Sequence, residues 1–130
     1  MRVAAGIFRK GDAVLLMRRA QTEPLAGEWE YPGGKFEEGE EGPVCLQREL
    51  KEELGIDAKI GDFITVAKLQ LNSGKDLELY AYEISSYVGD MMLKVHDIKE
   101  WVKLSDLLQH SQLPADLIIS KTLVNKGCKL

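Results

Sequence analysis

Residues 48–54 read RELKEEL and place three carboxylates, Glu49, Glu52 and Glu53, within two turns of a helix. Like charges three and four residues apart repel by a few tenths of a kcal/mol per pair. Carboxylates at i, i+3 and i+4 also project one way from a rigid support. There they can share a hard divalent cation such as Mg²⁺, which takes oxygen ligands and leaves room for water and phosphate. An acidic run alone reads first as a solvated helix face. Its surroundings decide between the two.

Those surroundings are ordered by glycine, proline and leucine. Pro43 suits the first turn of a helix and Gly55 the residue just past its end. Between them Leu46, Leu50 and Leu54 form an apolar stripe. At about 100° per residue the glutamates form a second stripe a quarter-turn away, facing a cleft or solvent. Before the helix runs a Gly/Pro-rich passage, EPLAGEWEYPGGKFEEGEEG (23–42), expected as a long functional loop without regular structure of its own. Its Pro32-Gly33-Gly34 lets backbone approach a ligand closely.

Elsewhere VAAGIF (3–8) and AVLLMRR (13–19) read as strands, and 62–71 with 77–84 as a hairpin around Asn72-Ser73-Gly74. EWVKL (100–104) reads as another strand, followed by a short helix capped by Ser105-Asp106. LPADLIISKTLVNK (113–126) reads as a last helix. Strands interrupted by helices in this order imply a mixed sheet covered on both sides.

Taken together, Gly34, Glu40, Arg48-Glu49-Leu50, Glu52-Glu53 and Gly55-Ile56 resemble the Nudix box. That motif is a glycine, five residues, Glu, seven residues, then Arg-Glu-apolar-x-Glu-Glu-x-Gly-apolar, and every specified position matches. The resemblance implies a Nudix-fold α/β/α sandwich with a mixed β-sheet between helices. The implied chemistry is metal-assisted hydrolysis of a nucleoside diphosphate linked to another group. Carried over residue by residue, it implies Glu52 and Glu53 as metal ligands, Glu49 as ligand or base, and Arg48 as the residue that orients the carboxylates. Gly33 would serve the metal through its backbone, and Gly34, Lys35 and Glu40 would support the metal and phosphate shell.

Outside the box, MRRA (17–20), GEWEYPGGK (27–35) and EWVKLSDLLQHSQLPAD (100–116) resemble the MutT-type branch of the family. By that likeness Arg19 contacts phosphate, a role its fork of donors suits; it reads equally as an exposed strand-end arginine. Asp116 stands where the MutT type has an asparagine that reads the base, and an aspartate there is similar to the CTP pyrophosphohydrolase branch. A carboxylate can accept from cytosine N4, but Asp116 also fits a helix N-cap. Trp29 and Tyr31 read either as base-stacking rings or as packing. Relatives carry a glutamate six residues before the tryptophan. Here that position is Val95; either Asp97 or His96 completes the metal shell in its place, or the fourth acidic partner is missing. Trp101 is expected in the core, His96 and His110 on the surface, and Cys45 as a small buried apolar residue.

The 130 residues suit one domain, with 45% hydrophobic and 29% charged residues. The net charge of -4 argues against a general nucleic-acid or membrane-surface binder. No stretch approaches the roughly 18 apolar residues that span a bilayer. Cys45 and Cys128 lack zinc-site spacing and are expected as reduced thiols in a cytoplasmic protein.

The reading is a Mg²⁺-dependent nucleoside triphosphate pyrophosphohydrolase, with Mn²⁺ as a substitute metal, acting on cytosine or oxidised-base nucleotides. Its partner is a small nucleotide, with no stable nucleic-acid complex and no membrane, in a monomer or homodimer. Two alternatives stand. One is a Nudix hydrolase of ADP-ribose, a dinucleoside polyphosphate or 5′-triphosphate RNA. The other is a non-catalytic Nudix-fold regulator. The stretch 67–79 lacks the Pro or Tyr that marks enzymes for the first two of these substrates, and the box is intact.

Overall fold

Strands buried on both faces read as unbroken apolar runs, and the first long strands show why. The computed structural model describes residues 1–126. In it β1 (Arg2–Ile7) and β3 (Ala13–Arg19) each feed two cores. Ala5, Ile7, Val14 and Leu16 point into one, with Ala115, Ile119 and Leu123. Ala4, Phe8, Leu15 and Met17 point into the other, with Cys45, Leu46, Leu50 and Leu54. The period of two sends successive side chains to opposite helices.

The sandwich expected from the sequence is present, with its strands divided between two sheets. One has the order β5-β1-β7-β6, where β5 is Gly33–Lys35, β6 Asp57–Gln70 and β7 Asp76–Val88. Its β1 and β7 are parallel and its other pairs antiparallel, so the sheet is mixed. The second joins β2 (Arg9–Lys10), β3, β4 (Trp29–Glu30) and β8 (His96–Lys103), all antiparallel. Helix α1 (Gly42–Leu54) covers one side and α2 (Pro114–Asn125) the other.

The helix signals translate directly. Pro43 sits in the first turn of α1, and Gly55 ends it at φ 73, a left-handed conformation that favours glycine. Leu46, Leu50 and Leu54 are fully buried. The hairpin is longer at its open end than expected. Its pairing continues out to Asp57↔Val88 through register shifts that sequence periodicity does not reveal.

Three expectations are corrected. The passage 23–42 contains β4 and β5, which are too short and too glycine-rich to show a period. Their pairing partners on β3 and β1 create them. Trp101 lies on the outer side of β8, more than a third exposed, with Lys10 Nζ 5.8 Å above its ring. The short helix after Ser105-Asp106 is a single 3₁₀ turn (Leu107–Gln109) whose Asp106 makes no side-chain cap. Among the described residues no helix is long and apolar enough to cross a membrane. Cys128 lies outside the described residues.

Candidate active site

One cleft of about 460 Å³ collects most of the residues singled out above. Arg19, Tyr31, Gly33, Gly34, Lys35, Glu49, Glu53, Val95 and Asp116 line it, together with Glu30. Leu69, Leu71, Leu77 and Leu79 of the hairpin give it an aliphatic wall.

The glycines make room for the acids. A β-carbon on Gly34 would lie 2.2 Å from the Glu49 carboxyl carbon, and one on Gly33 would lie 1.9 Å from the Ala4 carbonyl oxygen. Gly33 pairs with Ala5 and Gly34 with Ala4, so β5 is pressed between β1 and the carboxylate side of α1. Cys45 is buried beside it, its thiol 3.6 Å from the Gly34 carbonyl oxygen and pushed up to about 12 by burial and by Glu40.

Arg48 is the hub of the box. Its Nε and Nη2 donate to the two oxygens of Glu40, each at 2.8 Å, a bidentate fork. Nη1 donates to Glu49 at 2.9 Å and to Glu52 at 3.1 Å, and Nη2 also donates to the Lys35 carbonyl oxygen. The Arg48 fork and the Glu37 backbone N–H hold the Glu40 carboxyl down at about 2. Glu52 faces outward, 59% exposed, and does not line the cleft.

Glu53 lies in different surroundings. Its Oε1 is buried with no hydrogen-bond partner among the described residues. Burial, opposed by His96 and reinforced by Glu30 and Glu49, pushes its carboxyl up to about 7. A buried, unpaired carboxylate oxygen beside a second carboxylate, Glu49, is a donor set that suits a hard cation. The residues present therefore fit a divalent metal.

Sequence reasoning missed Glu30 and misplaced its neighbours. Glu30 Oε2 accepts from Arg19 Nη1 and pairs with His96 Nε2, both at 2.8 Å. Its signal was alternation within GEWEYPGG, where the aromatics drew attention away from the acid between them. His96 is 4% exposed, not on the surface. Asp97 is turned outward and held by the Arg18 fork at 2.9 and 3.0 Å, outside the cleft. The cause is a bulge between β3 and β8. Arg18 pairs with Ile98 but Arg19 with His96, so Asp97 is the extra residue. Val95 itself lines the cleft, as does Glu30.

Four further placements sharpen the sequence reading. Arg19 lines the cleft, with Nε donating to the Pro24 carbonyl oxygen at 2.7 Å and Nη2 3.8 Å from Glu23, so it clamps the loop before β4. Trp29 is outside the cleft, its ring edge-on to the half-buried His110 at 5.0 Å, because alternation on β4 gives the cleft to Glu30. Tyr31 is 4% exposed, and its hydroxyl is shared with Ser120 at 2.6 Å. Asp116 is not the N-cap, which is Leu113. It sits inside the first turn of α2, where its Oδ1 accepts from the Tyr31 N–H at 2.9 Å. Burial pushes its carboxyl up to about 7 against that hydrogen bond.

The NUDIX domain profile matches residues 1–122. The chain belongs to the Nudix family. It is 36% identical over 115 residues to the CTP pyrophosphohydrolase of Escherichia coli K12, spanning 88% of this chain and 84% of that protein. It is 30% identical over 118 residues to the 8-oxo-dGTP diphosphatase of the same organism, spanning 89% and 90%. Its fold matches the solution structure of the E. coli ORF135 protein with a TM-score of 0.87 at 29% identity, covering 98% of this chain and 91% of that one. The MutT protein from Methanosarcina mazei Go1 matches with a TM-score of 0.81 at 26% identity, covering 100% and 96%. The protein is a Nudix hydrolase, of a family that acts on small nucleotide substrates and generally uses a divalent metal.

Proposed function

We propose that this Nudix hydrolase is a Mg²⁺-dependent nucleoside triphosphate pyrophosphohydrolase, releasing monophosphate and pyrophosphate from cytosine or oxidised-base nucleotides, with Mn²⁺ able to replace Mg²⁺. One observation carries the reading. The same cleft holds Glu49 and Glu53, an aliphatic wall and a buried Asp116. The names of the relatives, one for CTP and one for 8-oxo-dGTP, support it.

Glu49, Glu53 and the backbone of Gly33, which line the cleft, would hold the cation, with Glu52 able to join only from outside it. When bound, it activates water and neutralises charge on the leaving pyrophosphate. Arg48 fixes Glu49 and Glu52 from behind, and Glu40 fixes Arg48. Lys35 and Arg19 stand on the cleft wall with positive charge for the phosphates, and Gly34 adds backbone that a nucleotide can approach. Asp116 reads the base, its carboxyl aimed by the Tyr31 N–H. A buried polar group of this kind discriminates by what it leaves unpaired with the wrong base.

The test is a nucleotide screen with Mg²⁺ that measures products as well as rates, covering dCTP, 5-substituted dCTP, 8-oxo-dGTP, ADP-ribose, a dinucleoside polyphosphate and triphosphate-ended RNA. Pyrophosphate and monophosphate from a cytosine or oxidised-purine substrate are expected. Preferred release of AMP from ADP-ribose, or turnover of none of them, overturns the reading.

A further inference from the structure

Two of the buried polar atoms that lack a partner among the described residues face one another. They are Glu53 Oε1 and His96 Nδ1, 3.6 Å apart. Buried polar atoms are nearly always satisfied, so two adjacent exceptions call for a cause. Packing does not supply it. The His96 side chain is 1% exposed, and its other nitrogen already has a partner, Glu30 Oε2 at 2.8 Å.

Glu30 settles which nitrogen donates. Its Oε2 also accepts from Arg19 Nη1 at 2.8 Å, so this oxygen is a charge-assisted acceptor and His96 Nε2–H donates to it. The ring is thereby fixed by Arg19 and Glu30 with its remaining nitrogen turned to Glu53. The backbone contributes as well. The bulge that expels Asp97 is what brings His96 opposite Arg19, and bulges re-aim side chains beside active sites. At 3.6 Å the two do not hydrogen-bond, because the nitrogen left over when Nε2–H donates is itself an acceptor and so is the carboxylate oxygen.

The geometry points to His96 as a positioning residue of the hydrolysis: braced by Glu30 and Arg19, its acceptor Nδ1 edge offers the Glu53 carboxylate no hydrogen bond and turns that carboxylate toward the cleft. Nothing in the family box requires a histidine here. The inference rests on the proposed role of Glu53 as a metal ligand. Partners behind metal-binding groups are typically worth 10- to 100-fold in metal affinity or activity.

Two variants separate the edges of the ring. Gln in place of His96 retains a donor where Nε2 stands and loses the Nδ1 edge. Asn retains a polar atom near Nδ1 and loses the reach to Glu30. Mn²⁺ binding to the enzyme without nucleotide, followed by electron paramagnetic resonance, gives a readout that does not depend on turnover. His96→Gln is expected to weaken Mn²⁺ roughly tenfold or more and to lower kcat with KM little changed. His96→Asn should recover most of both. Wild-type Mn²⁺ affinity in His96→Gln overturns the inference. Equal losses in both variants that track a fall in melting temperature also overturn it, since His96 would then be only packing. Glu53→Gln run alongside keeps the two readings apart. If it leaves Mn²⁺ binding and turnover intact, the role of Glu53 has failed. If it abolishes them while the His96 variants bind normally, only the inference has.

Discussion

Acids on Arg48 and acids in the cleft lie in opposite surroundings, and Glu40 in the first set is shifted opposite to Glu53 and Asp116 in the second. On the outer side a single guanidinium, Arg48, reaches Glu37, Glu40, Glu49 and Glu52, and Glu40 is held down at about 2. In the cleft, Glu53 and Asp116 are pushed up to about 7. The residues are the same chemistry. Burial raises the inner pair, and the bidentate Arg48 guanidinium lowers Glu40. Repulsion in RELKEEL is thus relieved unevenly. Arg48 compensates the carboxylates it reaches, including Glu49 at the cleft wall, whereas Glu53 Oε1 has no hydrogen-bond partner among the described residues.

The largest expected effect breaks the inner side. Glu53→Gln should lower Mg²⁺-dependent pyrophosphate release by at least about a thousandfold, some 4 kcal/mol of transition-state stabilisation. Its melting temperature should not fall, since a neutral amide replaces a buried, partnerless oxygen. Pyrophosphate assays beside thermal melts check both.

Asp116→Asn sharpens the comparison through pH. The folded pKa of Asp116 lies above its unfolded value of about 3.9, so the group contributes stability that is complete below that value and is lost as pH rises through about 7. Asparagine has no such loss. Between pH 4 and 8 the melting difference should therefore move in favour of the variant, by on the order of a few kcal/mol. The carbonyl of Asn still accepts from the Tyr31 N–H. The same variant should reorder dCTP against 8-oxo-dGTP, and an unmoved ranking would leave Asp116 without a part in base reading.

Arg48→Lys tests the outer side. Lysine offers a point charge where Glu40 needs a fork, and a loss of about 2 kcal/mol in denaturant melts is expected. Activity should fall as well, because Glu49 and Glu52 lose their common anchor. The smallest effect is expected from Gly34→Ala. Its β-carbon displaces the Glu49 carboxylate, for a roughly tenfold loss of turnover with little change in melting temperature.

Much of this was legible in the sequence because it rests on local rules. The helix start at Pro43, the stop at Gly55 and the leucine stripe follow from spacing alone, whereas the three glutamates divide, Glu49 and Glu53 lining the cleft and Glu52 facing outward. The two buried strands followed from unbroken apolar runs. What escaped were elements with no period to read. Strands β4 and β5 exist because β3 and β1 pair with them. Trp101 reads as core by composition, yet it faces outward on β8.

The sequence by itself determined the register of the glutamates on their helix. One helix carries Glu49, Glu52 and Glu53 with Arg48, and a helix fixes relative directions within a few residues. Only the tertiary structure decided which of these acids are buried and what stands opposite them. Whether Glu53 meets Asp97 or His96 turns on a single bulge between two strands some 80 residues apart in the chain, and a one-residue slip flips every side chain to the other face. Long-range pairing of that kind has no signature in local spacing.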